Sequence, residues 1–244
     1  MLSVFLVLLF SSASLSAAIA WQAEWTKAAS TNSLTVDTAN ASNLGLGVTG
    51  YDRLLVVMVA TTNTAVTGIT YNGAALTLYR TASNVSSTAH LELWYLKNPV
   101  PTLSLPSIIV SLPGTVNVMA SANLYTGVDQ SAPFGASATN SNSSNTAAGA
   151  SITTSGTGAW VLNSIARANT GSVSSNASFT LRRDNFNGVI RGAAYDTNGT
   201  VGTGAHAYTT TLSAAQAFVS FYDELMSASS GCTTSDTQSF GLFH

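Results

Sequence analysis

Charge is what this 244-residue chain has least of. Lysine and arginine together number 8, aspartate and glutamate 10, and the formal net charge at pH 7 is -2. So few cations exclude a nucleic-acid surface, which needs a basic stripe to neutralise phosphates. They also exclude disorder of the highly charged kind. Cysteine is nearly absent. Cys232 stands alone, so no disulfide can form within the chain and the fold must rest on its core. Histidine is confined to His90, His206 and His244, and no Gly-x-Ser-x-Gly elbow accompanies them. The pattern of a hydrolytic triad is therefore missing, and no enzyme activity is expected. Helical periodicity is missing too, with one short turn expected at Leu212 to Gln216.

The long hydrophobic runs are short of a membrane span. Leu2 to Phe10 is an apolar core followed by small residues ending Ala18-Ile19-Ala20. This reads as a secretory signal over residues 1–20, with Trp21 as the new N-terminus. The stretch before the apolar core has no Lys or Arg, so a retained hydrophobic segment is the other reading. Crossing ~30 Å of hydrocarbon would require Ser11 to Ala20 to join the run. The expectation is a secreted, cell-surface-associated protein with no stable membrane span after cleavage.

What the chain does have is strands. Val, Ile, Thr, Leu and Tyr alternate with small polar residues, bounded by Gly, Pro and Asn. In Leu54 to Ala60, Val56, Met58 and Ala60 share one face and Leu55, Val57 and Val59 the other. A run apolar on both faces is a central strand covered on both sides. His90, Glu92 and Trp94 oppose Leu91, Leu93 and Tyr95, which predicts a half-exposed strand. Asn72-Gly73 supplies the two positive-φ positions of a type I′ hairpin. Asn187-Gly188 and Asn198-Gly199 mark further turns.

Two stretches carry the same pattern, Arg53 to Asp129 and Gly158 to Glu224, offset by roughly 100 residues. The fold expected is an all-β, two-sheet antiparallel β-sandwich of jelly-roll type, built from two pseudo-repeated halves. The sandwich is assigned to residues 36–225, with halves at 36–136 and 159–225. A Ser/Asn/Thr-rich loop or crossover joins them, with a weak edge strand near Ser151 to Thr154. Residues 21–35 read as an N-terminal extension or donor strand, and 226–244 as a tail.

Three segments carry a resemblance: Ile69-Thr-Tyr-Asn-Gly-Ala-Ala-Leu-Thr77, Leu91-Glu-Leu-Trp-Tyr-Leu-Lys-Asn-Pro99 and Tyr125-Thr-Gly-Val-Asp-Gln-Ser-Ala-Pro-Phe134. Over roughly residues 30–225 the chain resembles a poorly characterised domain of secreted bacterial and phage-associated proteins, similar to concanavalin/laminin-G-like jelly rolls. Its members commonly end on a strand preceded by Leu-Ser-x-x-Gln, matched by Leu212-Ser-Ala-Ala-Gln216. The resemblance implies the sandwich. It does not choose among sugar binding, glycan hydrolysis and surface building.

The candidate sites follow from residue type. Trp94, Tyr95 and Trp160 could form an aromatic platform for surface glycans, or pack in the core as Trp in sandwiches more often does. His90 and Glu92 share a strand face, but no third metal ligand is spaced for them. Glu92 stands alone in its strand, and Asp223 and Glu224 should point to opposite faces. No carboxyl pair is therefore set for glycoside hydrolysis. No cofactor is expected beyond a structural calcium ion, for which Asp184, Asn187, Asp196 and Asn198 supply oxygen-rich turns. Arg182 and Arg183 read as a solvated strand end. Sequons at Asn40, Asn84, Asn142, Asn176 and Asn198 are glycosylation candidates, each expected in a loop or turn. Ser33 to Asp37 alternates as a donated strand must, with Leu34 and Val36 inward and Trp21 and Trp25 as anchors. Cys232 could bridge copies. The expected role is a self-assembling subunit of an extracellular filament, sheath or matrix, its partners copies of itself. The alternative is a carbohydrate-binding or adhesive module.

Overall fold

A computed structural model describes residues 18–37, 51–86, 88–100, 107–168, 171–175 and 178–229. The sequons at Asn40 and Asn176, the thiol of Cys232 and the apolar core of the signal-like segment lie outside the described residues.

Among the described residues the chain forms 13 strands and no helix. The first half contributes β1 (Ala20–Asp37), β2 (Leu54–Thr61), β3 (Gly68–Tyr71), β4 (Ala74–Ala75), β5 (Thr77–Ser83), β6 (His90–Lys97) and β7 (Ser107–Thr126) to a seven-stranded antiparallel sheet. The second contributes β8 (Phe134–Thr154), β9 (Trp160–Ala168), β10 (Val173–Ser175), β11 (Thr180–Phe186), β12 (Ile190–Asp196) and β13 (Gly204–Leu225) to a six-stranded antiparallel sheet. Each sheet is thus one half of the duplication.

The wiring repeats, except that β4, paired with β3, has no counterpart in the second sheet. β7 pairs with β1 along one edge, and with β3 and then β2 along the other, followed by β6 and β5. β13 pairs with β8 along one edge, and with β10 and then β9 along the other, followed by β12 and β11. Even the irregularities coincide. Leu112 to Thr115 of β7 lie opposite the single residue Asn32 of β1. Leu212 to Ala215 of β13 lie opposite the single residue Thr146 of β8. The Leu212–Gln216 turn expected from sequence is this bulge. The β5 register slips between Leu78 and Arg80, and that of β11 between Leu181 and Arg183.

Extra residues on one strand of a ladder bend it and raise its twist. The long pairs β1–β7 and β8–β13 are bent this way, and each half rolls over its own interior. In the second half Tyr208 and Tyr222, from the two arms of β13, stack with ring centroids 6.2 Å apart. The Glu224 carboxylate accepts from Ala136 N, Ser155 N and Gly156 N at 2.8–2.9 Å, tying together backbone just inside the start of β8 and just past its end.

Rolling explains why the central strands are apolar on both faces. Leu55, Val57 and Val59 face the first half's interior with Trp25, Leu34, Val36, Ile108 and Val110. Leu54, Val56, Met58 and Ala60 face the other sheet, against Trp160, Leu162, Ala194, Val219 and Phe221. The second half encloses Val161, Ile165, Tyr195, Phe218 and Tyr222. Gly192 keeps the sheets close: a Cβ there would sit 2.5 Å from Met119 Sδ and 3.2 Å from the Ala60 Cβ.

Two sequence boundaries are corrected. Residues 21–35 are no extension, because β1 runs through the 35/36 boundary with Trp25, Leu34 and Val36 buried. Of the two readings of the Ser/Asn/Thr-rich joint, the edge strand near Ser151 to Thr154 holds, and it extends back to Phe134 as the 21-residue strand β8. β1 and β8 occupy equivalent places, so the repeat is longer than its apolar strands suggest. The hairpin at Asn72-Gly73 has φ of 49° and 83° as expected.

Candidate functional site

The aromatic residues do not make a platform. Trp94 is 8% exposed, inside the first half, and its Nε1 donates to Glu92 Oε2 at 2.6 Å. Trp160 is 5% exposed and packs between the sheets, edge-on to Tyr125. Tyr95 is half-buried with its ring edge toward Phe134. The half-exposed strand expected at His90 to Lys97 is also corrected. Its polar face looks into the rolled half, where Glu92 accepts from Val66 N at 3.0 Å and meets His90 Nε2 at 2.9 Å. His90 Nδ1 lies 2.8 Å from Ser83 Oγ. This is a buried polar knot with its groups paired to one another, the arrangement burial demands.

The calcium candidates divide between opposite ends of β12. Asp196 is fully buried, and both its oxygens accept from Arg182 at 2.7 Å. Asp196 Oδ2 also accepts from Tyr125 OH, whose pKa burial raises well above the phenol range. Asn198 Oδ1 accepts from the same Arg182. At the other end Asp184 pairs with Arg191 at 2.6 Å. Asn187 turns its carbonyl to Val189 N and Ile190 N, and its amide to Ala29 O and Asn117 Oδ1. These four residues form no shared cation cage, and Arg182 holds an ion pair at a strand end where solvation was expected.

Sequon placement divides in the same way. Asn84 is 2% exposed, its amide donating to Ser86 and Thr88 and its carbonyl accepting from Thr88 N and Ala89 N. It closes the β5–β6 hairpin as Asn187 closes β11–β12, and a folded chain offers no acceptor there. Asn142 lies within β8, half-buried, rather than in a loop. Asn198 is exposed in a turn at φ 47°.

The assembly candidates converge on β1. Trp25, Leu34 and Val36 fill the first half's interior. Trp21 is partly buried against the inter-sheet core with the Arg182 guanidinium 4.4 Å over its ring. The chain therefore supplies its own β1, and the groove a donated strand would fill is occupied from within.

Beside the short outer strands β4 and β10, the other four outer strands are treated differently. β5 and β11 are short, bulged and charged, carrying Arg80 on one and Arg182, Arg183 and Asp184 on the other. These are the devices that blunt a sheet edge. β1 and β8 are long, at 18 and 21 residues, and each pairs on one side only. β8 contains no charged residue and no proline.

The arginines of the blunt edges tie the halves together. The register slips make Arg80 and Arg183 equivalent. Arg80 reaches across to Asp223 and Thr139 and lies 4.2 Å over the Phe221 ring. Arg183 pairs with Glu24 of β1 at 2.8 Å. The contacts are reciprocal, as across the two-fold axis of a dimer. Burial pushes the Asp223 carboxyl up to about 7 against the opposing pull of Arg80. Burial likewise raises Glu24, with Arg183 opposing.

Sequence reasoning found β8 only near Ser151 to Thr154, read Arg183 as solvated and passed over Arg80. The signal for both lay in aligning the halves through Thr77-Leu78-Tyr79-Arg80 and Thr180-Leu181-Arg182-Arg183. Comparison with protein-family models, with curated proteins and with solved structures finds no match.

Proposed function

We propose that this protein is a non-enzymatic structural subunit of an extracellular filament, sheath or matrix that assembles with copies of itself through its sheet edges. The observation that carries this reading is the pair of long outer strands, β1 and β8, left open beside two edges that are bulged and charged. An open strand offers a row of main-chain donors and acceptors to another strand, and proteins that must stay apart protect it. The near absence of charge acts in the same direction, since little repulsion separates the copies.

The carbohydrate-binding alternative rested on an exposed Trp94, and the burial of Trp94 and Trp160 removes its support. The test is negative-stain electron microscopy of the native secreted protein together with its mass. Repeating filaments or sheets are the expected outcome. Monodisperse single-chain particles at all concentrations would sink the proposal.

A further inference from the structure

We infer that Asn198 is a glycosylation site, its side-chain nitrogen carrying an oligosaccharide added as the chain is secreted. Such a modification rests on the extracellular part of the reading above and is independent of assembly.

Asn84, Asn142 and Asn198 are the sequons on described residues, and the fold separates them. At Asn84 the nitrogen that would bear the sugar already donates to Ser86 Oγ at 2.9 Å and Thr88 Oγ1 at 3.1 Å, and the residue is buried. At Asn142 the backbone is held in the β8–β13 ladder opposite Phe218. Facing residues of an antiparallel pair project to the same side. Phe218 is buried inside the second half, so a sugar on Asn142 would start from the interior face.

Asn198 differs on each count. It is exposed, in the turn that follows β12. Arg182 Nη2 donates to its Oδ1 at 2.7 Å, and its backbone N donates to Asp196 Oδ1 at 2.9 Å. A guanidinium can only donate, so the amide oxygen is the atom held by the fold and Nδ2 the atom left over. Nδ2 has no hydrogen-bond partner among the described residues. A substituent on Nδ2 therefore breaks no bond that anchors the turn. Thr200, whose hydroxyl completes the motif, is exposed two residues further on.

The neighbouring surface has room for a bulky group. Thr197, Thr200, Val201, His206 and Tyr208 border an open cleft of about 500 Å³, with no Asp, Glu, Lys or Arg among its described lining residues. A sugar is large, neutral and rich in hydroxyls, and it covers such a surface without desolvating a charge.

The transfer involves no oxidation or reduction. Nδ2 attacks the anomeric carbon of a lipid-phosphate-linked oligosaccharide, the donor that a secretory route supplies along with its transferase. A C–N bond forms, the C–O bond to phosphate breaks, the phosphate leaves with the bonding pair and Nδ2 gives up one proton.

The test is the intact mass of the full chain secreted by its native producer, with peptide sequencing by electron-transfer fragmentation, which leaves a sugar on its residue. The expected result is a mass above that of the polypeptide, with an increment on Asn198. Thr200→Ala keeps Asn198 and its contacts and should abolish that increment, whereas Thr200→Ser should retain it. Asn142→Gln should leave it unchanged. A bare polypeptide mass, an increment confined to other residues, or one on Asn198 that survives Thr200→Ala would overturn the assignment. Filaments built from unmodified chains would overturn the site and leave the structural reading standing. Single-chain particles bearing a glycan on Asn198 would do the reverse.

Discussion

Asp223 and Glu224 are sequence neighbours on opposite faces of β13, and they answer different demands. Asp223 faces the other sheet and Arg80, its carboxyl raised by burial from 3.8 to about 7. Between those values the folded chain keeps a proton that the unfolded chain has released. The stability this group contributes is therefore fully present below about 3.8 and is lost as pH rises through about 7. Urea midpoints measured across that window should fall with rising pH, and Asp223→Asn should flatten that part of the slope. Glu224 faces inward and accepts three backbone N–H groups. Glu224→Ala leaves the buried Gly156 N and the part-buried Ala136 N and Ser155 N without this acceptor and should cost about 1–3 kcal/mol in a denaturant titration. Glu224→Gln keeps one acceptor oxygen and should cost less. The opposite facing of these two carboxyls was legible in the sequence, because alternation along a strand is local. The burial of Trp94 and Glu92 was not. Their strand alternates like a half-exposed one, and only the roll of the sheet turns its polar face inward.

For the strands, legibility followed apolar content. Leu54 to Ala60 announces itself as a central strand, and Asn72-Gly73 announces its hairpin. β8 does not. Ser, Asn, Gly and Ala have little strand preference of their own, and β8 is extended because the β13 edge gives its backbone a partner. β1 was legible as a strand but not as an integral one, since an edge strand and a donated strand share one pattern. The difference can be measured. A chain lacking residues 20–37 should lose the cooperative unfolding of the first half, because Trp25, Leu34 and Val36 leave its interior and one edge of β7 is bare. A peptide spanning Trp21 to Asp37 should restore it on mixing. A truncated chain that folds and assembles like the parent would show that β1 has no part in either. Leu34→Ala alone should cost about 2–5 kcal/mol, as large-to-small core changes do.

At the scale of the molecule, two copies of one rolled unit pack face to face through Met58, Met119, Leu162 and Phe221, and the reciprocal arginines fix their orientation. Gly192→Leu drives a side chain into Met119 and Ala60 and should pry the sheets apart. Calorimetry of that variant should resolve two transitions where the parent shows one. Assembly driven by main-chain pairing between uncharged edges should persist at about 1 M salt, where the Debye length falls to about 3 Å. Sedimentation across a salt series checks this, and dispersal by salt would point to the few surface charges.

The two ends of the described chain meet at one place. Ala20 is paired with Thr126, and Ala228 N donates to Gly127 O at 2.9 Å. Flanking segments therefore depart from a single pole, and tension between them would act across the strands rather than along them. The ladder would open as a zipper does, one hydrogen bond after another from Ala20. The first element a mechanical load releases is then β1, and what it uncovers is the free edge of β7.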